Sequence, residues 1–115
     1  GKNLFATLAR NSGYEVLDLG VKVSKEEIEE KIKEYRPDVL GLSGLLTRSC
    51  FEMVEVAEYL SRNESVPVMI LGGAALTENF VKERIAPKYK KKVFYAKSAM
   101  EGVRILNELF SKKNI

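Results

Sequence analysis

Val39-Leu40-Gly41-Leu42-Ser43-Gly44-Leu45-Leu46-Thr47-Arg48-Ser49-Cys50-Phe51-Glu52-Met53 is the stretch that decides the fold. Val39–Ser43 is apolar or small without polar alternation, the pattern of a strand covered on both faces. A loop bearing glycine and hydroxyl residues follows, Ser43–Ser49. Ser49-Cys50-Phe51-Glu52 then has the form of a capping box, in which the serine accepts from an orphan amide and the glutamate reaches back. It opens a helix whose Met53, Val56, Ala57 and Leu60 recur at helical spacing.

The same strand–loop–helix unit recurs on either side. Downstream, Val66–Leu71 reads as a buried strand ending at Gly72-Gly73. Thr77 suits the N-cap of a helix to about Ile85, and Val93–Ala96 reads as the last strand. Ser98-Ala99-Met100-Glu101 is another capping box, before a helix with Val103, Leu106 and Phe110 on its apolar face. Upstream, Ser24-Lys25-Glu26-Glu27 caps a helix carrying Ile28 and Ile32, which Pro37 forbids from continuing past Tyr35. Tyr14–Leu19 reads as a strand. Leu4, Leu8 and the small residues Ala6 and Ala9 predict a helix over Asn3–Ser12, closed by Gly13.

A helix followed by four strand–helix units implies an α/β, doubly wound parallel sheet with right-handed crossovers. Such a domain needs a first strand near the sheet centre. The order therefore predicts that this first strand is lacking and that residues upstream of Gly1 are absent. A gap would fall between the first visible strand and the second, or the sheet would close up. An exposed inner edge would invite another chain, so a homo-oligomer is expected.

Composition narrows the function. The 115 residues fit a single domain, 1–115, with 45% hydrophobic and 30% charged residues. A net charge of +3 does not point to nucleic acid. The Lys88, Lys90, Lys91 and Lys92 cluster reads as a solvated loop, with a partner or phosphate contact as the alternative. No apolar run approaches the ~20 residues of a membrane span, and the start does not resemble a signal peptide. The lone Cys50 gives no intrachain disulfide, so a cytoplasmic location is expected. The chain has no histidine, which excludes Ser-His-Asp and Cys-His catalysis within it.

In open α/β sheets, ligands bind beyond the carboxyl ends of the strands. The loops there are Ser43–Ser49, Gly72-Gly73-Ala74-Ala75 and Lys97-Ser98-Ala99. Glycine admits close approach, hydroxyls offer donor and acceptor without bulk, and helix amino ends favour acceptors. The pattern fits a recess for a sizeable polar ligand with no internal general base. It equally fits ordinary capped strand-to-helix turns.

Read together, these segments resemble the cobalamin (vitamin B12)-binding domain shared by methionine synthase, corrinoid methyl carriers and cobalamin-dependent mutases. The family pattern is Asp-x-His-x-x-Gly, then Ser-x-Leu, then Gly-Gly. Gly1-Lys2-Asn3 looks like the end of the first motif, Ser43-Gly44-Leu45 like the second and Gly72-Gly73 like the third. The Tyr14–Val21, Gly41–Thr47 and Val93–Lys97 segments look more like methionine synthase, the methyltetrahydrofolate–homocysteine methyltransferase, than like the mutases. The resemblance implies a flavodoxin-like (Rossmann-like) fold and a cobalamin, or methylcobalamin, cofactor. Gly1, Ser43, Leu45, Thr47, Ser49, Gly72, Gly73, Ala74 and Ala99 are its implied cofactor-binding residues. Among them, Ser43 and Thr47 would contact the cofactor's nucleotide tail, and the glycines with Ala74 would leave it room. Ala99 would lie beside it, and Ser49 would cap its helix or join a relay with the motif's Asp and His. The family's cobalt-ligating histidine and its aspartate have no counterpart here, so binding would rest on the tail pocket alone, or fail.

The resemblance further implies methyl transfer from methyltetrahydrofolate to homocysteine, giving methionine. Homocysteine, folate and helical cap domains are the expected partners, and this chain alone is expected to be catalytically silent. One rival is a corrinoid shuttle of a methanol- or methylamine-type methyltransferase. Another, of a different class, is a flavodoxin-like sensing or interaction module without catalysis. A third is a thiol enzyme built on Cys50, whose neighbour Arg48 could lower its pKa.

Overall fold

The computed structural model describes residues 4–11, 15–20 and 23–113. Its strands are β1 (Leu4–Arg10), β2 (Glu15–Gly20), β3 (Val39–Gly44), β4 (Val68–Gly72) and β5 (Val93–Tyr95). The helices are α1 (Lys25–Tyr35), α2 (Thr47–Leu60), α3 (Glu78–Phe80) and α4 (Ala99–Lys113). α3 runs on through a π turn, Val81–Ile85, and a 3₁₀ turn, Ala86–Lys88, in place of the regular helix expected to Ile85. The sheet order is β2-β1-β3-β4-β5. β3, β4 and β5 are mutually parallel, as expected of the α/β, flavodoxin-like class.

The first element departs from expectation. Leu4–Arg10 is a strand, and it occupies the position between β2 and β3 that was expected to be empty. It runs antiparallel to both neighbours, so the sheet is mixed. Leu4 and Leu8 lie four apart, a spacing that also belongs to a period of two. Ala6 between them is buried with them, while Phe5 and Thr7 face the other side. Sheet pairing settles the ambiguity. A helix here would leave the inner edges of β2 and β3 without hydrogen bonds, a cost the strand removes on both sides.

The core lies mainly on one face. Leu4, Leu8, Leu40, Met69 and Leu71 meet Ile28 of α1, Met53, Val56, Ala57 and Leu60 of α2, and Val81 and Ile85 after α3. Each fully buried side chain of this size contributes about 1.5–3 kcal/mol. On the opposite face α4 packs alone, with Phe110, Leu106 and Leu109 against Ala9, Val39 and Ile70. Val103, expected on that apolar face, is instead 53% exposed.

Caps fix the helix ends. Ser24 and Glu27 form the expected box, and Arg36 closes α1 in the left-handed region at φ 54. Thr77 accepts from the Phe80 amide as expected. The box expected at Ser49 is absent. α2 begins three residues earlier, at Thr47 behind the N-cap Leu46, and Ser49 is buried inside its first turn. Pro67, without an N–H, delays β4 until Val68, whose amide donates to the Asp38 carbonyl at 3.1 Å. Tyr89 is buried and donates its hydroxyl to the Pro67 carbonyl at 2.6 Å, tying the chain after α3 beneath β4.

Candidate functional site

The parallel strands β3 and β4 finish side by side, with Ser43, one residue before the end of β3, as the register partner of Gly72 at the end of β4. At this rim Gly73 turns with φ +133, a conformation L side chains rarely adopt. Gly73 also lies so close to Gly44 that a Cβ would overlap the Gly44 carbonyl oxygen. A Cβ on Gly72 would stand 3.2 Å from the Ala96 carbonyl oxygen. Tyr95 braces the following loop, donating its hydroxyl to the Leu76 carbonyl at 3.0 Å.

The third rim segment is set by the start of α4. Ser98 Oγ accepts from the Glu101 amide at 3.2 Å, half of the expected box. The glutamate reaches one residue further back than expected, and its Oε1 accepts from the Lys97 amide at 2.9 Å.

A cavity of about 580 Å³ lies between α4 and the sheet. Its deep end is apolar, formed by Ala9, Val39, Ile70 and Leu106. Its rim end carries Ser43, Gly72, Gly73, Ala74, Lys97 and Ser98. Small residues make the space. Gly41 lies between Val39 and Ser43 on the α4 side of β3, and a Cβ there would meet Thr7 only at 3.7–3.8 Å. Any larger side chain at Gly41 would extend into the cavity rather than into its neighbours. Lys97 is the only charged residue of the lining.

Five of the expected site residues share this cavity: Ser43, Gly72, Gly73, Ala74 and Ala99. Leu45, Thr47 and Ser49 are not in its lining. Leu45 is 67% exposed beyond the end of β3, and Thr47 is exposed at the first position of α2. Ser49 is fully buried, its amide donating to the Leu46 carbonyl at 2.9 Å. Gly1 lies outside the described residues. Sequence reasoning missed Phe5, Thr7, Gly41 and Gly102 in the lining. The alternation Val39, Gly41, Ser43 could have flagged Gly41. Phe5 and Thr7 were hidden by the helical reading of their segment.

The donor set bounds the chemistry. No group of three or more metal-ligating side chains is found among the described residues. The sequence offers no imidazole at all. Cys50 is buried 3% exposed, and burial pushes its thiol pKa up, which disfavours a reactive thiolate. What the residues do fit is a large, flat apolar group ending in a polar, anionic portion. A cavity apolar at one end and hydroxyl- and lysine-bearing at the other suits the base and phosphodiester of a cobalamin's nucleotide, although no side chain here can ligate its cobalt as histidine does. Among the described residues no helix is long and apolar enough to cross a membrane.

Comparisons with known proteins agree with this arrangement. The B12 binding domain family matches residues 1–104. The chain is 40% identical over 116 aligned positions to methionine synthase of Mycobacterium leprae (strain TN), covering 98% of this chain and 10% of that protein. It is 39% identical over 116 positions to methionine synthase of Mycobacterium tuberculosis (strain ATCC 25618 / H37Rv), with the same coverage of 98% and 10%. The chain thus spans about a tenth of the length of these relatives.

Proposed function

Because the chain belongs to the B12 binding domain family, we propose that it carries cobalamin as the methyl carrier between methyltetrahydrofolate and homocysteine. The observation that supports this reading best is the cavity between α4 and the sheet, open at the rim where Ser43, Gly72 and Gly73 meet. The names of the relatives point the same way, since both are methionine synthases.

When bound, the cofactor supplies the methyl-carrying metal centre. The chain's own residues bind and orient. Val39, Ile70 and Leu106 take up an aromatic base by burial. Ser43 offers a hydroxyl donor and acceptor at the rim, and Ala99 keeps the α4 side of the cavity low. Gly72, Gly73 and Ala74 let the tail pass close to the main chain. Leu45, Leu46 and Met100 are exposed large apolar side chains near the ends of β3 and α4, available to contact the macrocycle. Thr47, exposed at the first position of α2, would offer a hydroxyl to the cofactor, and the buried Ser49 would act only through the first turn of that helix. Folate and homocysteine would be presented by further domains, with no reacting substrate held by this chain.

A titration of hydroxocobalamin followed by absorption tests the reading. If the cavity held the tail, the benzimidazole would be kept from the metal, so saturable one-to-one binding with a shift to the base-off spectrum is expected. Cobalamin that keeps its free spectrum at all protein concentrations would refute it.

A further inference from the structure

We infer that Lys97 recognises the phosphodiester of the cofactor's nucleotide tail, and so makes binding dependent on that single negative charge. This rests on the reading that the tail enters the cavity beside α4. Lys97 supplies the only charge in a lining that is otherwise apolar, glycine or hydroxyl. Among the described residues its ammonium takes part in no ion pair.

Helix stability does not account for a cation at this place. Lys97 sits two residues before α4 begins at Ala99, at the end of the macrodipole that favours anions. The nearest carboxylate does not claim the ammonium either. Glu101 Oε1 accepts from the main-chain amide of Lys97 and holds the loop rather than the side chain. The amino terminus of a fifteen-residue helix and Lys97, which enters no ion pair among the described residues, therefore both lie at the mouth of an apolar cavity. A ligand that suits both has an aromatic body for the deep end and one anionic group at the mouth. A benzimidazole nucleotide has that form, with its phosphodiester between the buried base and the exposed remainder.

The interaction lies near solvent, so it is screened by salt; the Debye length falls from about 30 Å at 0.01 M to about 3 Å at 1 M. Substitution at this position leaves the hydrogen bond from the main-chain amide to Glu101 Oε1 in place, because its donor is the main chain. The test is cobalamin binding by the unsubstituted chain, Lys97→Met and Lys97→Arg, at 20 mM and 500 mM salt. Thermal melts of the three proteins serve as a control for folding. At low salt Lys97→Met should bind about three- to tenfold more weakly, and Lys97→Arg within about twofold of the unsubstituted chain. At high salt the three should converge. Equal binding by Lys97→Met at low salt would overturn the inference, as would a loss that persists unchanged at high salt. If the unsubstituted chain bound no cobalamin, the cavity reading itself would fall, and this inference with it.

Discussion

Gly73 lies against the main chain of Gly44, so that a Cβ on the first would overlap the carbonyl oxygen of the second. Gly44 is the last residue of β3 and Gly73 the first after β4, so their contact joins the ends of these two strands into one rim. Gly73→Ala should therefore destabilise the chain twice over, through the overlap and through φ +133. A loss of at least about 2 kcal/mol is expected. Urea unfolding would read it as a lower midpoint with little change in slope.

Gly41→Leu tests the cavity without straining the fold. A Cβ at Gly41 meets only ordinary contacts, the nearest at 3.7 Å. The added side chain would occupy the space between β3 and α4. Stability should change by less than about 1 kcal/mol, while cobalamin affinity falls at least about tenfold, the equivalent of 1.4 kcal/mol. Retained affinity in the spectral titration would place the tail elsewhere.

Tyr89→Phe separates structural from binding effects. The hydroxyl is buried and bonds the Pro67 carbonyl at 2.6 Å, on the face of the sheet away from the cavity. Losing that donor should cost about 1–2 kcal/mol in unfolding free energy. Cobalamin affinity should not change.

The strand assignment of Leu4–Arg10 can be probed by a pair of neighbours. Ala6 is 1% exposed and faces the core with Leu4 and Leu8, whereas Phe5 is 42% exposed on the cavity side. Ala6→Asp would bury an unpaired carboxylate and should prevent stable folding. Phe5→Lys should cost less than about 1 kcal/mol. Circular dichroism melts would distinguish them, and equal tolerance at both positions would contradict the strand.

Stability should be level between about pH 6 and 8, since no histidine is present to titrate there. Burial raises the Cys50 thiol and the Tyr89 phenol, so each stays protonated in the folded chain at a pH where the unfolded chain would ionise. Their contribution is complete below the unfolded values, ~8.5 and ~10. It is lost as pH rises through the folded ones. On the acid side, Glu29 is held below the usual carboxylate range, chiefly by the hydrogen bond from the Asn63 amide. That contribution is present above the unfolded value of ~4.3 and lost as pH falls. Urea midpoints measured from pH 3 to 10.5 should therefore form a plateau with a fall at each end. The buried thiol should also resist mild alkylation until the chain unfolds.

The repeated capping boxes and apolar runs made α1, β3, β4, β5 and α4 legible, because local hydrogen bonding and periodicity are properties of neighbouring residues. The same local rules misjudged Ser49. A serine three residues before a glutamate suits a cap, but α2 starts at Thr47 and draws Ser49 into the core. Capping is decided by where the preceding strand ends, which a four-residue motif does not record. The rim glycines were also readable, since few side chains can stand where main chains cross.

By itself, the sequence determined the α/β class, the three loops at the strand ends and the absence of an imidazole for chemistry. Only the tertiary structure decided that Leu4–Arg10 is a strand, because Leu4 and Leu8 satisfy both periods and the choice depends on unpaired edges contributed by β2 and β3. It likewise decided which site residues meet. Ser43, Gly72, Gly73, Ala74 and Ala99 share one cavity with Lys97, and Leu45, Thr47 and Ser49 do not. A cavity is the space left between α4 and the sheet, and that space is fixed by packing across the whole chain rather than by any segment of it.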